Sequence, residues 1–113
     1  MRVYVAGAYD APNVCRVLGN MRRGNAVAVE LLQAGYAPFS PWLDFQFGLQ
    51  EDIPRDDYLE YSLAWLEASQ AVVCVPEGIK ESAGSQAEIA RARALGIPVY
   101  DSLGSFLAAQ AVE

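Results

Sequence analysis

The segment ESAGSQAEIARARALGIPVY, residues 81–100, carries the side chains best suited to chemistry. Glu88 stands four residues after Gly84, in what reads as the first turn of a helix, behind Ser82, Ala83, Gly84 and Ser85. A helix N-terminus built of small residues offers backbone N–H groups to an anion, and Ser82 adds a hydroxyl. Beside the positive end of the helix dipole Glu88 is expected to stay ionised, which suits a nucleophile or a carboxylate facing positive charge. Such a turn suits a phosphosugar whose anomeric carbon becomes positive as its bond breaks. The same residues also read as plain structure. Ser85-Gln86-Ala87-Glu88 matches a capping box, in which the serine caps the helix and the glutamate reaches back to the serine N–H, at about 1 kcal/mol. On these residues alone both readings stay open.

The composition narrows the chemistry. The chain has 113 residues and no histidine, so Ser-His-Asp, Cys-His and His-metal chemistry are excluded. Any acid or base must be a carboxylate, a tyrosine, a lysine or the substrate itself, and no cofactor or metal is called for. A formal charge of −6 argues against a nucleic-acid polymer as partner, since phosphate backbones are held by clustered Lys and Arg. A single nucleotide remains compatible, because a few local N–H donors can hold it. With 53% apolar and 19% charged residues, the chain reads as one globular domain over residues 1–113. No apolar run approaches the ~20 residues of a membrane span, and no signal peptide is evident. Cys74 sits in the apolar run AVVCV and reads as a small core residue, Cys15 is remote from it in sequence, and a cytoplasmic home is the default.

The elements that must position Glu88 alternate. Residues 3–6 read as a buried strand closed by Gly7, followed by a polar loop over 8–19. Asn20 is expected to cap a helix whose buried face is Met21, Gly24, Ala28, Leu31 and Leu32, and Gly35 to stop it. A strand over 36–40 leads into the aromatic connection PWLDFQFGLQEDIP, residues 41–54, long enough to carry function. A helix over 56–69 follows, opened by Asp56 and Asp57, then an apolar strand over 71–75 with the look of one covered on both faces. The Glu88 helix runs from about Gly84 to Leu95, Gly96 ends it, and IPVY is a fourth strand; the tail DSLGSFLAAQAVE reads as a last short helix. Alternating strands and helices imply a three-layer α/β sandwich with a mostly parallel sheet, flavodoxin- or Rossmann-like. Ligands of such sheets lie outside the carboxyl ends of the strands. That rule puts residues 7–9, 41–44 and 76–82 on one rim with Glu88.

Three stretches carry a family resemblance: VYVAGAY, then NMRRGNAVAVELLQAGYAPFSP, then SLAWLEASQAVVCVP with ESAGSQAEIARARALGIPV. Together they resemble the nucleoside 2-deoxyribosyltransferase superfamily, which includes 2′-deoxynucleoside 5′-monophosphate N-hydrolases. They span most of the chain, and residues 42–57 match least. The resemblance implies a deoxyribosyltransferase-like domain acting on a nucleoside or nucleotide, without a metal, assembled as a homo-oligomer. It implies that Glu88 acts at the anomeric carbon and that Gly84 lies in the binding turn. Gly7, Ala8 and Tyr9 would line the sugar site. Ser82 stands where the monophosphate hydrolases have a phosphate-contacting serine, which leans toward a phosphorylated substrate. At the position of an aspartate thought to serve the departing base this chain has Ser62, and Gln70 replaces another at the start of the third strand. Asp44 could take over a carboxylate role.

Several further residues have two readings. Trp42, Phe45 and Phe47 could stack on a nucleobase or cover a neighbouring subunit. Arg22 and Arg23 could approach a phosphate or form a solvated face, and Lys80 reads as exposed. Trp65 and Tyr61 read as core or interface. The function implied is cleavage of the N-glycosidic bond of a 2′-deoxynucleoside or its 5′-monophosphate, by hydrolysis or base transfer. The alternatives are a non-catalytic nucleotide-binding module, favoured by Ser62 and Gln70, and a structural subunit in which Glu88 only caps.

Overall fold

The computed structural model describes residues 1–111. Strand β1 (Arg2–Ala6) leads to helix α1 (Val14–Gln33) and strand β2 (Ala37–Phe39). A 3₁₀ turn (Pro41–Asp44), the short helix α2 (Phe45–Gly48) and helix α3 (Arg55–Glu67) precede strand β3 (Ala71–Cys74). A second 3₁₀ turn (Ile79–Glu81), helix α4 (Ala83–Ala94), strand β4 (Val99–Tyr100) and helix α5 (Leu103–Ala111) complete the order. The end of the tail, Val112 and Glu113, lies outside the described residues. All strand pairings are parallel and the order is β2-β1-β3-β4, as the alternating pattern predicts. The order reverses between β1 and β3, which fixes the crevice above their carboxyl ends as the natural ligand position.

The period of two in each strand divides the core. Val3 and Val5 of β1 and Ala71 and Val73 of β3 face α1 and α5, packing with Ala28, Leu31, Trp42 and Phe106. Tyr4 and Ala6, with Val72 and Cys74, face α3 and α4, packing with Leu66, Ile89 and Ala92. Cys74 is a buried core thiol, pushed up to about 11 by burial, whereas Cys15 is exposed.

Helix α1 starts six residues before Asn20, so the expected polar loop is half its predicted length. The cap is Asn13, whose extended backbone lets Oδ1 accept from Arg16 N–H at 2.9 Å, while Asn20 turns its amide to donate to Tyr9 O. Cys15, Arg16 and Leu18 are tolerated within a helix because this turn is solvent-facing and asks nothing of apolar periodicity. Gly24, Ala28 and Leu31 form the buried face; Leu32, counted with them from the spacing, is 64% exposed. Asn13→Ala is expected to cost about 1 kcal/mol in urea unfolding. Asn20→Ala should leave the helix start intact, and a larger loss at Asn20 than at Asn13 would return the cap to residue 20.

Gly35 takes φ +95° after the last turn of α1, the left-handed stop expected there. The region 41–54, expected as a connection without regular structure, opens with the 3₁₀ turn and α2. Pro41 at the first turn position favours that start. On α3, Tyr61 and Trp65 are half-exposed rather than core, and Phe39 of the edge strand β2 stacks on Trp65 at 5.3 Å. Lys80 is exposed as expected.

Candidate active site

Above the β1/β3 crevice lies a cavity of about 700 Å³. Gly7, Tyr9, Asp44, Ser62, Ser82, Gly84 and Glu88, all named from the sequence, line it together. Ala8 and Trp42, named with them, do not. Ala8 faces a second cavity of about 610 Å³ beside α1, which shares Asp10, Glu81 and Ser82 with the first. Trp42 is 1% exposed, too deep to stack on a ligand. Its indole N–H donates to Ala8 O at 3.0 Å, and its ring fills the space above Gly24, where a Cβ would approach within 2.3 Å. Trp42 is therefore a support for the turn after β1. Of the other aromatics, Phe45 reaches the cavity, while Phe47 lies half-exposed with its edge against Tyr61.

The start of α4 differs from the capping box. Ser82, not Ser85, is the cap: its Oγ accepts from Ser85 N–H at 3.2 Å. The small residues before Ser85 are helical enough to extend α4 back to Ala83, which moves the cap three residues earlier and places Glu88 in the second turn. Glu88 thus has no capping role. Ser85, 2% exposed, instead donates to Gly7 O at 2.7 Å and accepts from the Ser82 hydroxyl at 2.9 Å. This chain of hydroxyls fastens the α4 start to the β1 turn. A Cβ at Gly84 would meet nothing within 4 Å, so its backbone stays open to the cavity that it lines.

Glu88 accepts a hydrogen bond from the Tyr4 hydroxyl. Tyr4 is a fully buried residue of β1, and sequence reasoning passed over it. The signal was a lone phenol in the strand RVYVA, since a buried tyrosine hydroxyl needs a partner. Burial, then the Glu88 charge, holds that phenol far above its ordinary pKa, so it stays a neutral donor; the Ser62 hydroxyl is its second neighbour. The expectation that Glu88 stays ionised beside a helix dipole is corrected too. Burial, reinforced by the Asp44 charge and opposed by the Tyr4 hydrogen bond, pushes Glu88 up to about 7. Second-turn placement weakens the dipole, which acts within the first turn, and desolvation wins.

Asp44, which also lines this cavity, is 7% exposed and accepts from the Tyr9 hydroxyl at 2.8 Å. Burial raises its pKa, and the Tyr9 hydrogen bond partly offsets this. At the mouth Asp10 meets Arg55 at 3.5 Å, an exposed ion pair of small energetic weight. Arg23 lines the second cavity and donates to Asn20 Oδ1 at 2.6 Å, whereas Arg22 lines neither cavity. Gln70 lies at the other end of the sheet, where its side chain accepts from Arg2 N–H at 2.9 Å. The residue at that position therefore has no bearing on this cavity. Ser62 does bear on it. Among the described residues no three His, Cys, Asp or Glu side chains come together as metal ligands, and no helix is long and apolar enough to cross a membrane.

The family model of a domain of unknown function, DUF7768, matches residues 1–102. The chain belongs to the DUF7768 family. No curated protein sequence matches it. Among solved structures, this DUF7768 chain is similar to a 2-deoxyribosyltransferase from the psychrotolerant bacterium Bacillus psychrosaccharolyticus, with a TM-score of 0.60 and 16% identity. That match covers 88% of this chain and 69% of the transferase. The fold expected from the sequence is thus the fold found.

Proposed function

We propose that this DUF7768 protein cleaves the N-glycosidic bond of a 2′-deoxynucleoside or its 5′-monophosphate, by hydrolysis or by transfer of the sugar to another base. The observation that carries the proposal is Glu88: a half-buried carboxyl in the wall of the main cavity, aimed by a tyrosine hydroxyl and pushed up to about 7 by desolvation. Structural carboxylates seldom bear such desolvation, and a carboxyl tuned to neutrality inside a cleft marks a functional group. Its carboxylate meets the positive charge that grows on the anomeric carbon, and Tyr4 keeps one oxygen aligned for it. The open backbone at Gly84 and the Ser82 hydroxyl hold the 5′ end of the sugar. Ser82, lining both cavities, favours a substrate extended by a phosphate. The similar solved structure is that of a 2-deoxyribosyltransferase presented as a biocatalyst for nucleoside synthesis, which agrees with a nucleoside ligand. The half-exposed Phe39–Trp65 stack is consistent with a homo-oligomer, because contiguous aromatic surface tends to be covered.

The test is release of free base, followed by chromatography, from 2′-deoxynucleosides and their 5′-monophosphates. Release from the monophosphates ahead of the nucleosides is the expected result. Ser62 favours a second reading, a binding module without turnover. A rise in melting temperature with the same compounds and no base released would select it, since a ligand bound only by the native state must stabilise it.

A further inference from the structure

We infer that Asp44 is the second catalytic carboxyl of this cavity, the group that delivers a proton to the departing base, and that Tyr9 is its positioning residue. The inference rests on the glycosidic reading above. When the bond between the anomeric carbon and the base nitrogen breaks, the electron pair leaves with the base. A neutral base then departs as an anion unless it receives a proton. This chain has no histidine to supply one, and Lys80, exposed, does not line the main cavity. Four carboxyls line it: Asp10, Glu81, Asp44 and Glu88. Asp10 is solvent-exposed and paired with Arg55, and Glu81 is exposed too. Only Asp44 and Glu88 are withdrawn from water, and Glu88 is committed to the sugar.

The geometry of Asp44 fits the task. One oxygen, Oδ1, accepts from Tyr9, which fixes the plane of the carboxyl. Its other oxygen accepts no hydrogen bond among the described residues, yet no fully buried side-chain oxygen is left unpartnered. Oδ2 therefore opens into the cavity, free to carry the proton. Burial raises the affinity of Asp44 for that proton, and the Asp44 charge opposes the ionisation of Glu88.

The step balances. The bond from the anomeric carbon to the base breaks, its electron pair goes to the base, and the proton on Asp44 Oδ2 joins it. Glu88 takes the anomeric carbon. Water, or an incoming base in a transfer, then replaces Glu88 there and gives its proton to the Asp44 carboxylate, restoring both groups.

The experiment compares wild type, Asp44→Asn and Tyr9→Phe on two kinds of probe. The first is the panel of four 2′-deoxynucleoside 5′-monophosphates, whose neutral bases need a proton. The second is the 4-nitrophenyl glycoside of the same phosphorylated sugar, whose leaving group departs as a stable anion. Asp44→Asn should lose about 10²–10⁴-fold on the nucleotides and less than about tenfold on the nitrophenyl glycoside. The retained rate also shows that the variant folds. Its pH profile should keep only the rise that follows Glu88 ionisation, and that rise should lie below about 7, because Asp44 no longer opposes it. Tyr9→Phe should show a smaller loss with the same split between probes. Equal losses on both probes, or none on the nucleotides, would overturn the role of Asp44 and leave the glycosidic reading standing. Failure of the wild type on every probe would remove that reading, and the role of Asp44 with it.

Discussion

Glu88→Gln is expected to abolish base release and, at the same time, to make the protein more stable above neutral pH. The two effects have one cause. Glutamine keeps the size of the side chain and still accepts from Tyr4, but it cannot carry the negative charge that meets a developing cation. Loss of a group of that kind costs on the order of 10³-fold or more in rate. The stability gain follows from linkage. The folded chain raises the Glu88 pKa from 4.5 to about 7, so folding opposes its ionisation. The Glu88 contribution to wild-type stability is fully present below the unfolded pKa, is lost as pH rises from about 4.5 to about 7, and is level above that. A rise of that size corresponds to about 3 kcal/mol at ~1.4 kcal/mol per pH unit. The variant escapes the penalty, so its melting temperature at pH 8 should exceed that of wild type by on the order of 10 °C. At pH 4, where both side chains are neutral, the difference should vanish. Thermal melts at the two pH values, run beside the chromatographic assay, check both halves. A structural glutamate would give the reverse, a variant less stable at pH 8 with nothing to lose in activity.

That contrast shows where a sequence is informative about such a site. Topology was legible because it depends on long patterns. Apolar runs at 3–6 and 71–75, with helical spacing between them, allow few arrangements, and the parallel sheet with its crevice at the β1 turn follows. The rim was legible for the same reason: Gly7 and Tyr9, Asp44, and Ser82 with Glu88 arrive from three separate segments at one cavity. Local hydrogen bonding was not legible. Ser82 and Ser85 both stand three residues before a plausible partner, and the choice between them depends on Ser85 finding the Gly7 carbonyl across the sheet. No periodicity encodes a contact between residues so distant in sequence. Tyr4 escaped notice for the converse reason. In a strand it looked like core, which it is, and only its hydroxyl, at the far end of a buried ring, belongs to the site. The pKa of Glu88 was misjudged through the same gap. The helix dipole can be read from position, whereas desolvation depends on what packs around the carboxyl.

Trp42→Ala should be the most damaging change to the fold, and its consequence for the site is indirect. The sequence places this tryptophan in an aromatic loop, where a base-stacking role is a fair expectation. In the fold it lies between helix α1 and the β1 turn, 1% exposed. A Cβ on Gly24 would come within 2.3 Å of the indole, and one on Gly7 within 3.0 Å. Both glycines are thus spaces that the ring occupies. Truncation to alanine removes the ring and leaves a cavity, at about 3–5 kcal/mol. That is a large part of the ~5–15 kcal/mol typical of a small domain. Gly24→Ala attacks the same contact from the other side by overpacking, at about 1–3 kcal/mol. In urea unfolding both variants should shift the midpoint downward with little change in slope. The site should suffer through its supports, since the indole N–H holds Ala8 O beside the cavity and Asp44 follows Trp42 by two residues. Trp42→Phe separates the two contributions. It retains most of the ring volume and loses the hydrogen bond, so stability should largely return while turnover stays reduced. Were Trp42 a stacking platform, truncation would weaken substrate binding and leave the unfolding midpoint where it was. With both glycines shaped to the ring, the midpoint is expected to move first.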